Sequence, residues 1–345
     1  MIKVGIVGGT GYTGIELIRL LMMHPQAEIV AITSRSEEGK KLSELVPNFI
    51  TQNDLIFNQP TLDNLLECDV VFFATPNGTA MQMVPELLAA GKKVIDLAAD
   101  FRIRDQAVWE HWYQQDHACP ELLSTAVYGL PEINRAQIKD ADLIANPGCY
   151  PTAVALGLIP LLEQGLIQTE KLIADVKSGV SGAGRTASTP TLHAEVSENF
   201  KAYASSGHRH QPEIVQTLTQ VAQSDALELT FMPHLVPMNR GIHATCYAYA
   251  ATANNQQDLT SIYRQRYAHE QFISILDSGQ HPETRAVRGT NQCIISINRV
   301  SEQQIVVCSV IDNLVKGAAG QAIQNMNIMY GLAEVSGLDA IALLP

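Results

Sequence analysis

Seven residues near the N-terminus, Gly8-Gly9-Thr10-Gly11-Tyr12-Thr13-Gly14, restrict the fold more than any other segment. They follow an apolar run, Ile2 to Val7, and precede the helical pattern of Leu17, Leu20 and Leu21. Gly9, Gly11 and Gly14 fit G-x-G-x-x-G, and Gly8, Gly11 and Gly14 fit G-x-x-G-x-x-G. A strand that turns into a helix through glycines lets a pyrophosphate approach the backbone and the helix N-terminus. A second apolar strand, Ile29 to Ile32, follows, as a dinucleotide-binding α/β unit requires. Gly8, Thr10, Gly11, Tyr12, Thr13 and Gly14 are the expected contacts.

The end of the second strand bears on which dinucleotide is bound. Selection of NAD usually places Asp or Glu there, against the ribose 2′-hydroxyl. This chain has Thr33-Ser34-Arg35-Ser36. The hydroxyl of Ser34 and the guanidinium of Arg35 suit a 2′-phosphate, so NADP is expected. Further strands at Val70 to Ala74 and Lys93 to Leu97 continue the α/β alternation. Thr75, Asn77 and Gly78 follow the first of them, where turn and helix-cap chemistry compete with cofactor backing. Asp100-Phe101-Arg102 follows the second, and Arg102 is either a cleft residue or a surface charge.

Cys149 lies in Asn146-Pro147-Gly148-Cys149-Tyr150-Pro151-Thr152, between the strand Ala141 to Ala145 and an apolar helical run, Thr152 to Leu162. Helix N–H groups and the helix dipole favour a thiolate at such a position, and the same groups can hold an oxyanion. A buried structural cysteine is the alternative.

Beyond Leu162 the pattern changes to strands at Leu172 to Val176, Glu228 to Val236, Ile242 to Ala251, Cys293 to Ile297 and Ile305 to Ile311. A second domain with a mixed, largely antiparallel sheet is expected. Ser178-Gly179-Val180-Ser181-Gly182-Ala183-Gly184-Arg185 is rich in N–H and hydroxyl donors, as an anion loop would be. Gly207-His208-Arg209-His210-Gln211-Pro212-Glu213 puts two histidines before a helix that Pro212 can start. His210 and His243 are both candidates to pair with a thiolate and move a proton. A His-x-His also raises metal binding, but no third ligand stands at a fixed spacing, so no metal is expected. Asn313, past the last strand, is a further expected cofactor contact.

Composition excludes several classes. The net charge of −12 leaves no basic concentration to grip nucleic acid. No apolar run reaches the ~18 residues of a membrane helix. The chain opens directly into a strand, without a signal-peptide layout. Its 6 cysteines contain no Cys-x-x-Cys pair. A cytoplasmic, reducing environment is expected.

Taken in order, these segments resemble the N-acetyl-gamma-glutamyl-phosphate reductase family. Those carrying the resemblance are the glycine motif, Asp100-Phe101-Arg102, Tyr128-Gly129-Leu130-Pro131-Glu132, the Cys149 segment, Ser178 to Gly184, Gly207 to Glu213 and Lys316-Gly317-Ala318-Ala319-Gly320-Gln321-Ala322. The resemblance implies a Rossmann NADP-binding domain over residues 1–148 and 312–345. It implies an alpha+beta catalytic and oligomerisation domain over 149–311, of the glyceraldehyde-3-phosphate dehydrogenase type. A homodimer or homotetramer is implied, with a small acyl-phosphate substrate. Cys149 would be the nucleophile and His210 its proton carrier. Arg102, Ser178, Ser181, Arg185, His208, Arg209 and Glu213 would hold substrate anions or orient the histidine. Sibling enzymes acting on aspartyl phosphate or an aminoadipate-type substrate, and a non-catalytic NADP-binding regulator, are the alternatives.

Overall fold

In the computed structural model of the protein, which describes residues 1–51, 55–252 and 257–344, the chain divides into two compact units. Unit 1 comprises Met1–Pro147 and Ala318–Asp339; unit 2 comprises Gly148–Gly317 and the tail from Ala340. The sequence-based boundary put residues 1–148 and everything after residue 311 with the nucleotide domain; the structure moves Gly148 and two C-terminal pieces to unit 2. Residues 312–317 stay with unit 2 because the side chains of Asp312 and Asn313 bond the backbone of Gly289 and Gly241. The tail stays there because Leu343 exchanges hydrogen bonds with Arg288.

Unit 1 is built on seven strands: β1 (Ile2–Val7), β2 (Ala27–Thr33), β3 (Phe57–Asn58), β4 (Val70–Phe73), β5 (Lys93–Asp96), β6 (Val127–Tyr128) and β7 (Leu143–Ala145). Their order is β3-β2-β1-β4-β5-β7-β6, and every pairing is parallel. A parallel sheet is covered on both faces, which is why the apolar run of β4 is wholly buried. The helices are α1 (Tyr12–Leu21), α2 (Leu42–Leu45), α3 (Ala80–Ala89), α4 (Gln106–Tyr113) and α5 (Pro131–Lys139). The strand order reverses between β1 and β4, so the loops that follow these two strands flank the crevice where such sheets take ligands.

In unit 2, helix α6 (Cys149–Glu163) runs against a sheet of β8 (Leu172–Gly179), β9 (Lys201–Ala202), β10 (Leu229–Val236), β11 (Ile242–Tyr249), β12 (Ile273–Ile275), β13 (Cys293–Arg299) and β14 (Gln304–Ile311). The order is β12-β13-β14-β11-β8-β10-β9. β8 with β10 and β12 with β13 are parallel, and the other pairs are antiparallel. The remaining helices are α7 (His193–Val196), α8 (His210–Ala222) and α9 (Leu259–Arg266). Every residue of α6 from Tyr150 to Leu162 is buried, as its all-round apolar sequence requires. Ala244 and Cys246 of β11 and Val307 and Ser309 of β14 form the sheet face beneath it. Alternation turns Asp175, Lys177, His243, Thr245 and Tyr247 to the opposite face, which stays half-buried.

Pro160 lies inside α6 and has no N–H for the carbonyl of Leu156, four residues earlier. The Tyr267 hydroxyl, just past α9, donates to that carbonyl at 2.7 Å, and Tyr263 of α9 donates to the next one, at Gly157. The Tyr267 phenol thus replaces the missing helix bond, and Tyr263 adds a donor one residue on.

The chain finishes in α10 (Gly320–Met329), which returns to unit 1 and packs on α5 and α1. Its buried face is polar: Asn325 Nδ2 donates to Gly129 O at 2.9 Å and to Asn146 Oδ1 at 3.1 Å. Asn327 Oδ1 meets His24 Nε2 at 2.9 Å.

Because Leu156 has no other helix donor, Tyr267→Phe should destabilise the protein by about 1–3 kcal/mol, the cost of an orphaned buried carbonyl. Urea denaturation measures it, and an unchanged midpoint would show that the carbonyl finds another donor.

Candidate active site

The cradle of unit 1 is made by backbone. Gly8 sits at φ +90°, where a Cβ would lie 2.4 Å from Ala74 O; a Cβ on Gly14 would lie 2.3 Å from Gly8 O. Side chains are excluded from both positions, and the turn from β1 closes directly onto α1. Gly11 caps α1 without a side-chain bond, and a Cβ there would meet only Gly8 O at 3.9 Å. The space before the helix is therefore open to a phosphate group. Thr10 and Thr13 flank it half-buried, and Tyr12 is exposed. At the end of β2, Ser34 is buried while Arg35 is exposed and has no ion-pair partner among the described residues. After β4, the Thr75 hydroxyl is buried with no hydrogen-bond partner among the described residues, as a ligand-facing donor would be.

The loop after β4 is held by an acid from the loop after β5. Asp100 accepts from Gly78 N at 2.8 Å and Met81 N at 3.1 Å, capping the start of α3. Asp96 accepts from Ala98 N and Asp100 N. Burial pushes both carboxyls up, and Asp100 raises Asp96 further, while Arg102 pulls it back. Arg102 is buried, not the surface charge weighed above. Its guanidinium donates to Asn146 O and Leu97 O, both at 2.7 Å, bracing the ends of β5 and β7.

In unit 2, Cys149 is the first residue of α6, one turn earlier than the apolar run predicted. Gly148 is the N-cap, and its N–H donates to Glu213 Oε1 at 2.8 Å. Glu213 is fully buried on α8, one turn after His210, the first residue of that helix. One carboxylate therefore ties the starts of the cysteine and histidine helices together. Gly317 closes the other side: a Cβ there would lie 2.7 Å from Cys149 Cβ. It belongs to a π-helical turn, Val315–Ala319, a rare form often found at functional sites.

Aromatic rings enclose the histidines. Tyr150 meets His208 and His210 edge-on, each at 5.6 Å between centroids, and the two histidines lie 4.9 Å apart. Phe231 and Tyr203 complete the ring around His208. The Tyr150 and Tyr203 hydroxyls are 2.7 Å apart. Burial, followed by the charge of Tyr203 and then Cys149, raises Tyr150 well above the usual phenol range. Burial raises Tyr203 to about 12; the Cys149 charge adds to it, while the Tyr150 hydrogen bond and Arg209 oppose it. His208 is pushed down to about 4 by burial first and by Arg209 second, so it is neutral near pH 7. Its Nδ1 accepts the His210 N–H at 3.0 Å, which leaves the ring proton on Nε2. Arg209 is exposed. Strand alternation removes His243 from this cluster, since it faces away from α6 beside Lys177 and Thr245.

The segment 178–185 differs from the expected anion loop. The N–H groups of Gly179, Val180 and Ser181 bond the carbonyls of Gly241, Met238 and Asn239, and Gly184 N bonds Ser181 O. The donors that looked exposed extend the β8 ladder and close a turn. Ser178 is buried and donates to Gly179 O at 2.9 Å; Arg185 is exposed. Ser181 Oγ accepts from Asn313 Nδ2 at 2.9 Å, and Asn313 Oδ1 accepts from Gly241 N at 2.8 Å. Asn313, expected at the cofactor, thus has both ends of its amide engaged within unit 2. Sequence reasoning did not name Tyr203, and it singled out Gly317 only within the segment Lys316 to Ala322, without placing it against Cys149.

A glycine cradle in one unit and a cysteine at a helix start in the other define a dehydrogenase of the semialdehyde class. Residues 3–141 match the model "Semialdehyde dehydrogenase, NAD binding domain" and residues 149–313 the model "Semialdehyde dehydrogenase, dimerisation domain". Along its whole length the chain is 58% identical to the N-acetyl-gamma-glutamyl-phosphate reductase of Alkalilimnicola ehrlichii, covering 100% of both chains. The chain belongs to the N-acetyl-gamma-glutamyl-phosphate reductase family. In fold it is similar to aspartate semialdehyde dehydrogenase II of Vibrio cholerae, with TM-score 0.74, 16% identity and coverage of 96% and 98% of the two chains. It is likewise similar to the Candida albicans aspartate semialdehyde dehydrogenase with NADP, with TM-score 0.69, 20% identity and coverage of 96% and 98%.

The His208 geometry gives a pH prediction. An ordinary histidine titrates at 6.5, so the unfolded chain takes up this proton before the folded one. The contribution of His208 to stability is therefore complete above pH 6.5 and falls as pH drops towards 4. His208→Asn, which keeps a cap acceptor, should flatten the stability–pH curve in that window. An unaltered slope would contradict the buried neutral ring.

Proposed function

We propose that the protein catalyses NADPH-dependent reduction of N-acetyl-L-glutamyl 5-phosphate to N-acetyl-L-glutamate 5-semialdehyde and phosphate, the reductive step of that family in L-arginine biosynthesis. The observation that carries the catalytic reading is the Glu213 bond to Gly148 N, which joins the helix starts of Cys149 and His210. The full-length likeness to the named reductases supports the substrate.

Cys149 attacks the acyl carbon and expels inorganic phosphate, leaving a thioester. That divides one difficult displacement into two easier steps. The first-turn dipoles of α6 favour the thiolate and then the oxyanion at the same carbon. The nicotinamide nucleotide, when bound, supplies the hydride that takes the thioester to a thiohemiacetal. His210 provides the proton for the thiohemiacetal oxygen and recovers it as the aldehyde leaves Cys149. His208, neutral and bonded to the His210 N–H, holds the start of α8, and the aromatic ring around it excludes water. Arg102 acts by bracing the loops of unit 1, and Arg185 and Arg209 supply exposed positive charge for the substrate's approach.

NADP is favoured over NAD by Ser34 and Arg35, where no acid stands to receive a ribose 2′-hydroxyl. Gly8, Gly11, Gly14 and Thr75 would hold the pyrophosphate side of the nucleotide. The half-buried sheet face of unit 2 is the surface on which a second copy would pack, in keeping with the dimerisation model it matches. No helix among the described residues is long and apolar enough to cross a membrane, and we place the enzyme in the cytoplasm.

Mixing the protein with NADP, phosphate and N-acetylglutamate semialdehyde should give a phosphate-dependent rise in NADPH absorbance. Cys149→Ser should abolish it while NADPH binding persists. His210→Ala should reduce it about 10²–10⁴-fold. Arg35→Ala should weaken NADPH about tenfold or more and leave NADH nearly unchanged. Full turnover by Cys149→Ser would end the covalent mechanism.

A further inference from the structure

Asp312, just past β14, is fully buried and needs both hydrogen bonds and a compensating charge. Backbone supplies the bonds. Gly289 N donates to Oδ2 at 2.7 Å, and Leu314 N and Val315 N donate to Oδ1 at 2.8 and 3.3 Å. The charge comes from Arg240, whose Nη1 stands 3.4 Å from Oδ2. That contact is long for a charge-assisted bond. The Arg240 side chain is 28% exposed while its partner is 0% exposed. The guanidinium is therefore braced on a buried acid while the side chain as a whole stays partly exposed.

The backbone around Arg240 is fixed from both sides. Met238 O and Asn239 O accept from Val180 N and Ser181 N. Gly241 N is taken by Asn313 Oδ1, and the same amide bonds Ser181 Oγ. The path to the cysteine is short: Asp312 O accepts from Gly317 N at 3.0 Å, and Gly317 lies against Cys149. Arg240, Asp312, Gly317 and Cys149 thus form an unbroken line of contacts within unit 2.

We propose that Arg240 binds an oxyanion of the substrate, a carboxylate or a phosphate, on the Asp312 side of Cys149. The inference rests on the reaction proposed above, whose substrate carries both groups in a chain of net charge −12. A guanidinium presents several N–H donors in one plane, which matches either anion. Held by Asp312, it loses little freedom on binding, and this preorganisation strengthens the contact. The donors of segment 178–181 are engaged in the ladder, so Arg240 supplies what that segment does not.

The reverse reaction separates the two anions, because phosphate and the semialdehyde carboxylate then enter on different molecules. Arg240→Gln should raise KM for one of them about 10–100-fold, with a smaller fall in kcat. Arg240→Lys keeps a charge beside Asp312 and should recover part of the loss, and it serves as the test if Arg240→Gln does not fold. A rise for phosphate alone assigns the acyl phosphate; a rise for the semialdehyde alone assigns the carboxylate. Both KM values within twofold of wild type, with only kcat or thermal midpoint reduced, would overturn the inference and leave Arg240 a brace. If the wild-type protein itself shows no turnover, the reaction falls instead. The inference is then read from alkylation of Cys149 by iodoacetamide. Inorganic phosphate or N-acetylglutamate should slow it in wild type and markedly less in Arg240→Lys; equal protection of both proteins overturns it.

Discussion

The buried carboxylate of Glu213 receives the N–H of Gly148, and the arrangement of unit 2 depends on that bond. It joins two helix starts that are 61 positions apart in the chain, Cys149 and His210. A buried charge is stable only where donors and dipoles compensate it, and the N-terminus of α6 provides both. Removing the acid would leave the Gly148 N–H unsatisfied and release the first turn of α8. The aromatic ring of Tyr150, Tyr203, Phe231 and His208 depends on the same alignment, since Tyr150 follows Cys149 and His208 accepts the N–H of His210 at the start of α8.

Polar side chains inside the molecule are placed where the backbone is short of partners. Pro160 leaves a carbonyl of α6 without its helix donor deep in the core, and the phenol of Tyr267 satisfies it while Tyr263 bonds the next one. Asp100 caps α3, and Asp312 caps the π-helical turn beside Cys149. In α10 the amides of Asn325 and Asn327 fasten the returning chain to unit 1. Each group corrects a local deficit that apolar packing alone cannot, and each therefore specifies one arrangement.

These partners also show what a sequence reading cannot see. Gly-rich, Ser-rich residues 178–184 look like an anion nest, because donors are visible in a sequence and their acceptors are not. The acceptors are carbonyls at positions 238, 239 and 241, brought alongside by the pairing of β11 with β8. Arg102 looks like a surface charge or a cleft residue, yet two carbonyls 5 and 44 positions away enclose it. Arg240 carries no local signal, since its meaning comes from an aspartate 72 positions on.

What the sequence by itself determined was the kind of unit and the place of a cysteine at a helix start. Apolar runs bounded by glycines dictate parallel strands and helix starts, because backbone sterics and hydrophobic period act over a few residues. The cradle at Gly8 to Gly14 and the cysteine at a helix start follow from such local rules. Only the tertiary structure brought His210 to the ring of Tyr150 and set His243 apart on the other sheet face. His210 and His243 are equivalent as residue types, and the choice rests on the side of the β11 pleat to which His243 points. The return of α10 was decided in the same way, by amide partners far off in the chain. Contacts of that kind depend on sheet register and helix packing, which no local pattern encodes.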